Sequence, residues 1–170
     1  IAEAAKSIDG DIIVNVQGDE AMVMPEHIDA AIHALMEDES VNVSLLVNHF
    51  SKRRSPSDIK VVLDNHENVM YLSRSDIPSN ARTNDAPLLK AYHVLAFRKK
   101  FLMKYANWEE SYLEKIEFHE HLRILERGYS IKAVKVESQG ISVDTEADLA
   151  EVKYQMKKDP YYKDILNNEF

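Results

Sequence analysis

Residues 11–20 read Asp-Ile-Ile-Val-Asn-Val-Gln-Gly-Asp-Glu, and this stretch carries the strongest signal for the fold. Its apolar residues are typical of a strand buried on both faces, as in a parallel sheet. Gly18 then permits a sharp turn, so that Asp19 and Glu20 follow at the carboxyl end of the strand. Open α/β sheets bind their ligands at that end, and an acid there commonly holds Mg²⁺ over a substrate phosphate. A buried strand followed by a polar turn explains these residues equally well.

Length, charge and cysteine content limit the possible classes of protein. The chain has 170 residues, a length that is enough for one domain with a core. It has a formal net charge of −8 and no cysteine. The lack of cysteine excludes disulfides and Cys-ligated zinc, and it fits a cytoplasmic protein. The acidic balance disfavours nucleic acid as a partner, and no apolar run approaches the ~20 residues of a membrane span. A small anionic substrate would need local cationic or backbone N–H groups.

The hydrophobic pattern alternates between strands and helices along the chain. It predicts strands over 11–17, 41–47, 59–63, 69–72, 88–97 and 131–136, and helices over 26–38, 98–105, 111–127 and 145–157. Thr145 and Asp148 have the spacing of a helix N-cap and its capping box. This alternation predicts an α/β sheet that is covered by helices on both faces.

Four segments together resemble the 3-deoxy-manno-octulosonate (Kdo) cytidylyltransferases, in the order in which that family has them. They are Val16–Glu20, Ile59–Asp64 with Tyr71–Pro78, Leu113–Gly128 and Val143–Leu149. The resemblance implies a doubly wound, mostly parallel sheet of the nucleotide-sugar nucleotidyltransferase type, with its N-terminal strands missing. We interpret residues 1–157 as the C-terminal part of a single domain and 158–170 as a C-terminal tail. An intact domain with an edge strand at residue 11 is the alternative.

The same resemblance implies the activity. It implies a cytoplasmic, homodimeric enzyme of lipopolysaccharide biosynthesis that uses Mg²⁺ to couple CTP to Kdo or a related sugar acid, giving a CMP-sugar and pyrophosphate. Residues 1–170 alone are expected to be inactive, because most CTP-binding residues of the family lie upstream. Two alternatives remain open: a cytidylyltransferase for another acceptor, such as a phosphonate, or a non-catalytic binding or assembly relative.

The resemblance places two metal-binding catalytic acids at Asp19 and Asp144. Each follows an apolar stretch, and two carboxylates that converge on one Mg²⁺ would offset the charge of a triphosphate. An Asp-Thr pair before a helix is also an ordinary capping sequence, so the residues around Asp144 alone favour a cap. The seven histidines show no zinc-ligand spacing, and His119 and His121 are expected to project from different faces of a helix.

Three further residues match positions at which the family contacts its sugar acid: Gln17, Arg74 and Glu120. An arginine suits that role because its planar fork binds carboxylates and phosphates. Each residue also has a simpler explanation. Gln17 could make a strand-end hydrogen bond, Arg74 could be solvated or paired with Asp76, and Glu120 could be an ordinary surface acid of a helix.

The chain departs from the family at other sugar-contacting positions. The family strand Lys-His-x-Gly-Ile-Tyr appears here as residues 90–95, with Ala91 and Leu95 in place of the histidine and tyrosine, and His121 replaces a glutamine. We therefore predict that Kdo is a poor substrate, or that Tyr92 or His93 reaches the same hydroxyls. Alternation along a strand places Ala91, His93 and Leu95 on one face.

Several aromatic residues lie outside any clear helical or strand period. They are Trp108, Tyr112, Tyr161 and Tyr162. Exposed aromatic patches usually mark contacts between proteins, so these residues are predicted to contribute to a dimer interface.

Overall fold

The computed structural model describes residues 1–83, 87–137 and 141–168. Its strands are β1 (Ile12–Val16), β2 (Val43–Phe50), β3 (Lys60–Leu63), β4 (Val69–Ser73), β5 (Leu88–Arg98) and β6 (Lys132–Lys135). Its helices are α1 (Ala2–Ala5), α2 (Pro25–Glu37), α3 (Lys99–Tyr105), α4 (Tyr112–Glu117), α5 (Leu122–Glu126), α6 (Glu146–Met156) and α7 (Pro160–Asn168). Every strand predicted from the sequence is confirmed, as are the helices at 26–38 and 98–105.

One sheet contains all six strands, in the order β4-β3-β5-β2-β6, with β1 also paired to β5. The predicted α/β class is confirmed. The expected predominance of parallel strands does not hold in the described part, where only β2 and β6 pair in parallel. The reason is local: β3 and β4 are joined by a short turn and must form an antiparallel hairpin, and β5 runs against each of its three neighbours.

Strand β1 hydrogen-bonds to β5 along one edge, from the pair Ile12–Arg98 to the pair Val16–Val94. Within the described ranges, no other strand pairs with the second edge of β1. The expectation that β1 is an interior strand in a longer chain stays a prediction.

Two core clusters cover the two faces of the sheet, as an α/β sheet with helices on both sides requires. Ala91, Leu95 and Phe97 of β5 pack into the larger cluster with residues of α3 and α5. Tyr92 and the other alternate residues of β5 pack into the second cluster with α2. The prediction that Ala91 and Leu95 share a face is therefore confirmed.

The predicted helix over 111–127 is wrong, because it is two helices. Phe118 adopts a left-handed conformation, with a φ of 49° that ends α4, and the turn that follows precedes α5. Residues 119–121 therefore lie in a turn rather than on a helix surface. This turn brings two histidines into the region described below.

One expectation for the aromatic residues needs correction. Trp108 is half-buried and packs against the rings of Phe101 and Tyr129, so it belongs to the core rather than to an exposed patch. The predicted tail contains α7, whose Tyr161 hydroxyl hydrogen-bonds the Glu26 carboxylate. Among the described helices, none has the length and apolar character needed to cross a membrane.

Candidate active site

The loop after β1 lies directly against the segment that precedes α6. Gln17 N–H donates to the His93 carbonyl at 3.2 Å, which extends the β1–β5 ladder by one residue. Glu20 N–H then donates to the Gln17 carbonyl at 3.1 Å and closes a turn. Val143 N–H donates to the Asp19 carbonyl at 3.0 Å. The two segments that were predicted to carry metal-binding acids are therefore neighbours through a backbone hydrogen bond.

Asp19 and Asp144 supply the carboxylate oxygens that Mg²⁺ prefers as ligands. The 3.0 Å backbone hydrogen bond limits the separation of their Cα atoms to under about 11 Å by standard chain dimensions. Asp19 is half-buried and Asp144 is exposed. Within the described ranges, no group of three or more His, Asp or Glu side chains could hold an ion. Mg²⁺ is commonly held by one or two carboxylates with waters and substrate phosphates supplying the rest, so a two-acid set is chemically sufficient.

The capping alternative for Asp144 receives no support from the local geometry. The cap of α6 is made by Thr145, whose hydroxyl accepts from Asp148 N–H at 3.2 Å, while the Asp148 carboxylate accepts from Thr145 N–H at 2.8 Å. This is the predicted capping box, and it is confirmed. Asp144 precedes this box and is exposed, and its neighbour Val143 makes the backbone hydrogen bond to Asp19.

Arg74 is neither solvated nor paired with Asp76. Its guanidinium donates to three backbone carbonyls, those of Pro56 at 2.8 Å, Glu117 at 2.8 Å and Phe118 at 3.1 Å. These bonds use three of the five N–H donors of a guanidinium. Arg74 therefore joins the loop after β4 to the end of α4, and its remaining donors determine what it can offer a substrate.

A buried lysine fixes the backbone beneath Arg74. The Lys60 ammonium donates to the carbonyls of Ser55 at 2.6 Å and Asp58 at 2.8 Å, and also to the carbonyl of Arg74. Burial lowers the pKa of Lys60, although Asp76 and Asp58 oppose that effect. Asp76 accepts from Arg54 N–H at 3.0 Å, which explains why it is not the partner of Arg74.

Three histidines meet beside this loop: His93 of β5, and His119 and His121 of the turn after α4. His119 Nε2 and His121 Nδ1 are 3.3 Å apart, and the His93 and His119 ring centroids are 6.0 Å apart. The expectation that His119 and His121 point apart is wrong, because these residues are not helical. Burial lowers the pKa of both His119 and His121 far below 6.5, helped by the charge of neighbouring histidines. Both rings are therefore neutral at pH 7.

Glu20 is a buried carboxylate at the edge of this histidine group. Its Oε1 accepts from the Ser142 hydroxyl at 2.9 Å and from His93 N–H at 3.3 Å, and it lies 3.5 Å from His93 Nδ1. Burial alone would raise the pKa of Glu20, but the bonds from His93 and Ser142 outweigh it and lower the pKa. Glu20 is thus ionised at neutral pH, and its Oε2 is buried without a hydrogen-bond partner.

Glu120 lies in the turn between α4 and α5, with half of its side chain exposed (51%). Its Oε1 is 3.8 Å from His121 Nε2, and its carbonyl accepts from the Tyr105 hydroxyl at 2.9 Å. The backbone is therefore anchored while the carboxylate remains available. Glu120 and Arg74 both act electrostatically on buried His119, which places the predicted sugar-contacting residues around the histidine group.

Sequence patterns alone did not single out Glu20, His93 or His119 as a group. The available signal was the histidine at position 93, where the resembled strand has glycine. Without knowledge of the break at Phe118, no spacing rule connects residues 20, 93 and 119.

Comparisons with known proteins agree with this geometry. The family model described as Cytidylyltransferase matches residues 1–135. A 3-deoxy-manno-octulosonate cytidylyltransferase of Geotalea uraniireducens (strain Rf4) is 40% identical over 172 residues, covering 93% of this chain and 68% of the relative. The enzyme of the same name from Chloroherpeton thalassium is 38% identical, covering 93% of this chain and 67% of the relative.

Solved structures give the same result. The structure of a CMP:2-keto-3-deoxy-manno-octonic acid synthetase complexed with CTP superposes with a TM-score of 0.86 at 31% identity, covering 92% of this chain and 66% of that one. A 4-diphosphocytidyl-2C-methyl-D-erythritol synthase from Anaerococcus prevotii has a TM-score of 0.53 at 17% identity, covering 91% of this chain and 64% of that one. At this identity, the likeness shows the fold alone. The chain spans about two thirds of the length of these relatives.

Proposed function

This chain belongs to the cytidylyltransferase family of nucleotidyltransferase enzymes, as its motifs predicted, and from that premise we propose that the protein couples CTP to a sugar acid. The products are a CMP-sugar and pyrophosphate. The observation that supports the proposal is the backbone contact between Val143 and Asp19, which joins the two segments that carry the motif acids.

The reaction is an in-line displacement at phosphorus. The anomeric hydroxyl of the sugar attacks the α-phosphorus of CTP and releases its proton to solvent, one O–P bond forms, and the bond to the pyrophosphate leaving group breaks. Catalysis of this kind depends mainly on positioning and on neutralising charge. Asp19 and Asp144 would hold Mg²⁺, which when bound offsets the charge of the phosphates.

The residues around the histidine group would orient the acceptor. Arg74 is held by three carbonyls, so its guanidinium is fixed before a carboxylate arrives, which lowers the entropic cost of binding. Gln17 is placed by its backbone bond to β5, and Glu120 presents an exposed carboxylate to sugar hydroxyls. These three residues support a sugar acid as the acceptor class.

A different acceptor from Kdo is the second candidate, and the burial of two residues favours it. Ala91 and Leu95 are 1% and 0% exposed and belong to the apolar core. They cannot replace the hydrogen bonds that a histidine and a tyrosine make at these positions in the resembled family. The acceptor is therefore Kdo bound by other groups or a related acid with a different hydroxyl pattern.

We further propose a cytoplasmic homodimer. The side chains of Tyr112, Ile116 and Phe118 are 73%, 55% and 79% exposed on and after α4, and exposed apolar patches commonly mark interfaces. Light scattering of the full-length protein at micromolar concentration measures the assembly. Only monomers under those conditions would contradict it.

Pyrophosphate release from CTP tests the activity directly. The full-length protein is assayed with Mg²⁺ and a panel of sugar acids and phosphonates, with Asp19→Asn as the inactive control and exposed Asp29→Asn as the matched active control. Release that depends on one sugar acid supports the proposal. Release with a phosphonate alone changes the acceptor class, and no release with any acceptor favours a non-catalytic relative.

A further inference from the structure

We propose that His93, oriented by the buried carboxylate of Glu20, contacts the hydroxyls of the acceptor and determines which sugar acid the enzyme accepts. This inference rests on the proposed function, because it assigns a recognition residue within the same site. Glu20 acts through the imidazole and is a positioning residue.

The backbone of β5 is distorted at His93. Leu45 of β2 pairs with Leu95, whereas the next residue, Leu46, pairs with Tyr92. His93 and Val94 therefore form a bulge in β5, opposite the bond between Leu45 and Leu46 of β2. Bulges bend a strand, re-aim its side chains and are frequent beside active sites. The irregularity lies at the position where the resembled strand has glycine.

The bulge lies where β1 ends and the predicted site begins. The His93 carbonyl accepts from Gln17 N–H at 3.2 Å, so its backbone contacts a residue predicted to bind the sugar. On the other side, its ring faces His119, which lies in the turn that carries Glu120. His93 is thus between two groups of residues predicted to contact the acceptor.

Glu20 fixes the orientation of the ring. Its carboxylate Oε1 lies 3.5 Å from Nδ1, and a hydrogen-bond acceptor at this position favours the ring form that carries its hydrogen on Nδ1. Nε2 is then the ring nitrogen that remains for a ligand. The Glu20 side chain is 0% exposed and the His93 side chain is 16% exposed, so a ligand meets the imidazole before it meets the carboxylate.

Glu20 also has an unused hydrogen-bond acceptor. Glu20 Oε2 is buried without a hydrogen-bond partner, and an unpaired buried oxygen of this kind costs free energy. A hydroxyl bound beside His93 would supply the missing donor. The pair therefore offers two hydrogen-bonding atoms, Nε2 and Oε2, which suit a polyhydroxylated ligand.

The other residues of this strand segment do not compete for the role. Ala91 and Leu95 are apolar and lie in the larger core cluster. Tyr92 is fully buried in the cluster on the opposite face, with its ring against His27. Of the two replacements considered from the sequence, the structure therefore favours His93 over Tyr92.

The test uses the full-length protein and its best sugar acid from the panel. Variants His93→Gly and Glu20→Gln are compared with His33→Gln and Glu37→Gln, which alter exposed residues of α2. We expect His93→Gly and Glu20→Gln to raise KM for the sugar acid about 10- to 100-fold. KM for CTP should stay within about twofold, and His93→Gly should change the preference among sugar acids.

A second measurement keeps the inference testable if a variant fails to fold. The ¹⁵N shifts of the His93 imidazole are followed in wild-type protein at pH 7 while the sugar acid is added. A change at Nε2 that saturates supports direct contact, and no change overturns it. If His93→Gly has the turnover, the acceptor KM and the acceptor preference of the wild-type protein, the inference is overturned while the proposed function stands. Wild-type protein that binds no sugar acid and turns none over defeats both.

Discussion

The loop after β1 and the segment around the β5 bulge line the same candidate site, but they differ in how closely they follow the family. In the first region, both acids of the family motifs are present as Asp19 and Asp144, and a backbone hydrogen bond joins the segments that carry them. Across the site, Ala91, Leu95 and His121 replace polar residues of the resembled strand and helix. The first region would act on phosphates, and the second would act on the acceptor.

This difference separates reaction chemistry from substrate choice. Phosphoryl transfer needs charge neutralisation and alignment that are common to every acceptor. Recognition of a sugar needs donors and acceptors matched to one hydroxyl pattern, because an unmatched buried polar group is costly. Changes confined to the second region would therefore alter the acceptor and leave the use of CTP intact.

The largest effect is expected from Asp19→Asn. The loss of one metal-binding carboxylate should reduce kcat/KM of the full-length enzyme by about 100-fold or more, because metal ions supply several kcal/mol of transition-state stabilisation. The unfolding midpoint in urea should be unchanged, since Asp19 is half-buried and its backbone makes the structural bond. Exposed Asp29→Asn is the matched control. Activity near wild type in Asp19→Asn would remove the metal role.

Arg74→Ala should mainly reduce stability. Its guanidinium bridges three carbonyls across two segments, and we expect the free energy of unfolding to fall by about 3 kcal/mol. Arg74→Lys should recover little, because an ammonium cannot reproduce the planar fork. Urea unfolding measures both, with exposed Arg82→Ala as control. An unchanged free energy of unfolding in Arg74→Ala would contradict the bridging role of the guanidinium.

Local sequence signals predicted the fold well where local geometry decides it. Thr145 and Asp148 form the expected cap, and residues 64–68 form the turn of a hairpin. The helix over 111–127 failed because its apolar spacing continues through Phe118, whose left-handed backbone is set by its surroundings. Strand direction also failed, because a strand's own residues do not identify its partner.

The candidate site was predicted only in part, for a related reason. The motif acids could be placed because each follows its own strand or precedes its own helix. For Arg74, the simpler alternatives to a sugar-binding role were a solvated side chain or a pair with Asp76, yet its partners are carbonyls 18 and more than 40 residues away. Contacts between such distant segments leave no periodic trace in a sequence.

Because of His119 and His121, the free energy of unfolding should depend on pH between about 5 and 6.5, above the range in which carboxylates titrate. The folded pKa of buried His119 and His121 lies below 6.5, so the unfolded chain binds more protons as pH falls from about 6.5. Stability is full above that pH and is lost below it. Replacing His121 by glutamine should remove about 2 kcal/mol of the loss between pH 7 and 5.

Urea unfolding at pH 7 and pH 5 measures this loss, with exposed His33→Gln as control. The lowered pKa values of Glu20 and Glu114 act below about 4.5, outside this range. Equal pH dependence in wild type and His121→Gln would mean that His121 is not held neutral by burial.

The smallest effect, and the sharpest division between the two regions, is expected from Leu95→Tyr, which restores the residue of the resembled family. Leu95 is 0% exposed and packs in the larger core cluster. A tyrosine there should overpack the core and lower the free energy of unfolding by about 1–2 kcal/mol. Its hydroxyl should not improve kcat/KM for Kdo, because the side chain at this position is enclosed in the apolar core cluster. Kinetics with Kdo and urea unfolding of the same variant decide the matter. Improved use of Kdo at unchanged stability would show that position 95 still faces the acceptor, and that the apolar replacements themselves changed the substrate.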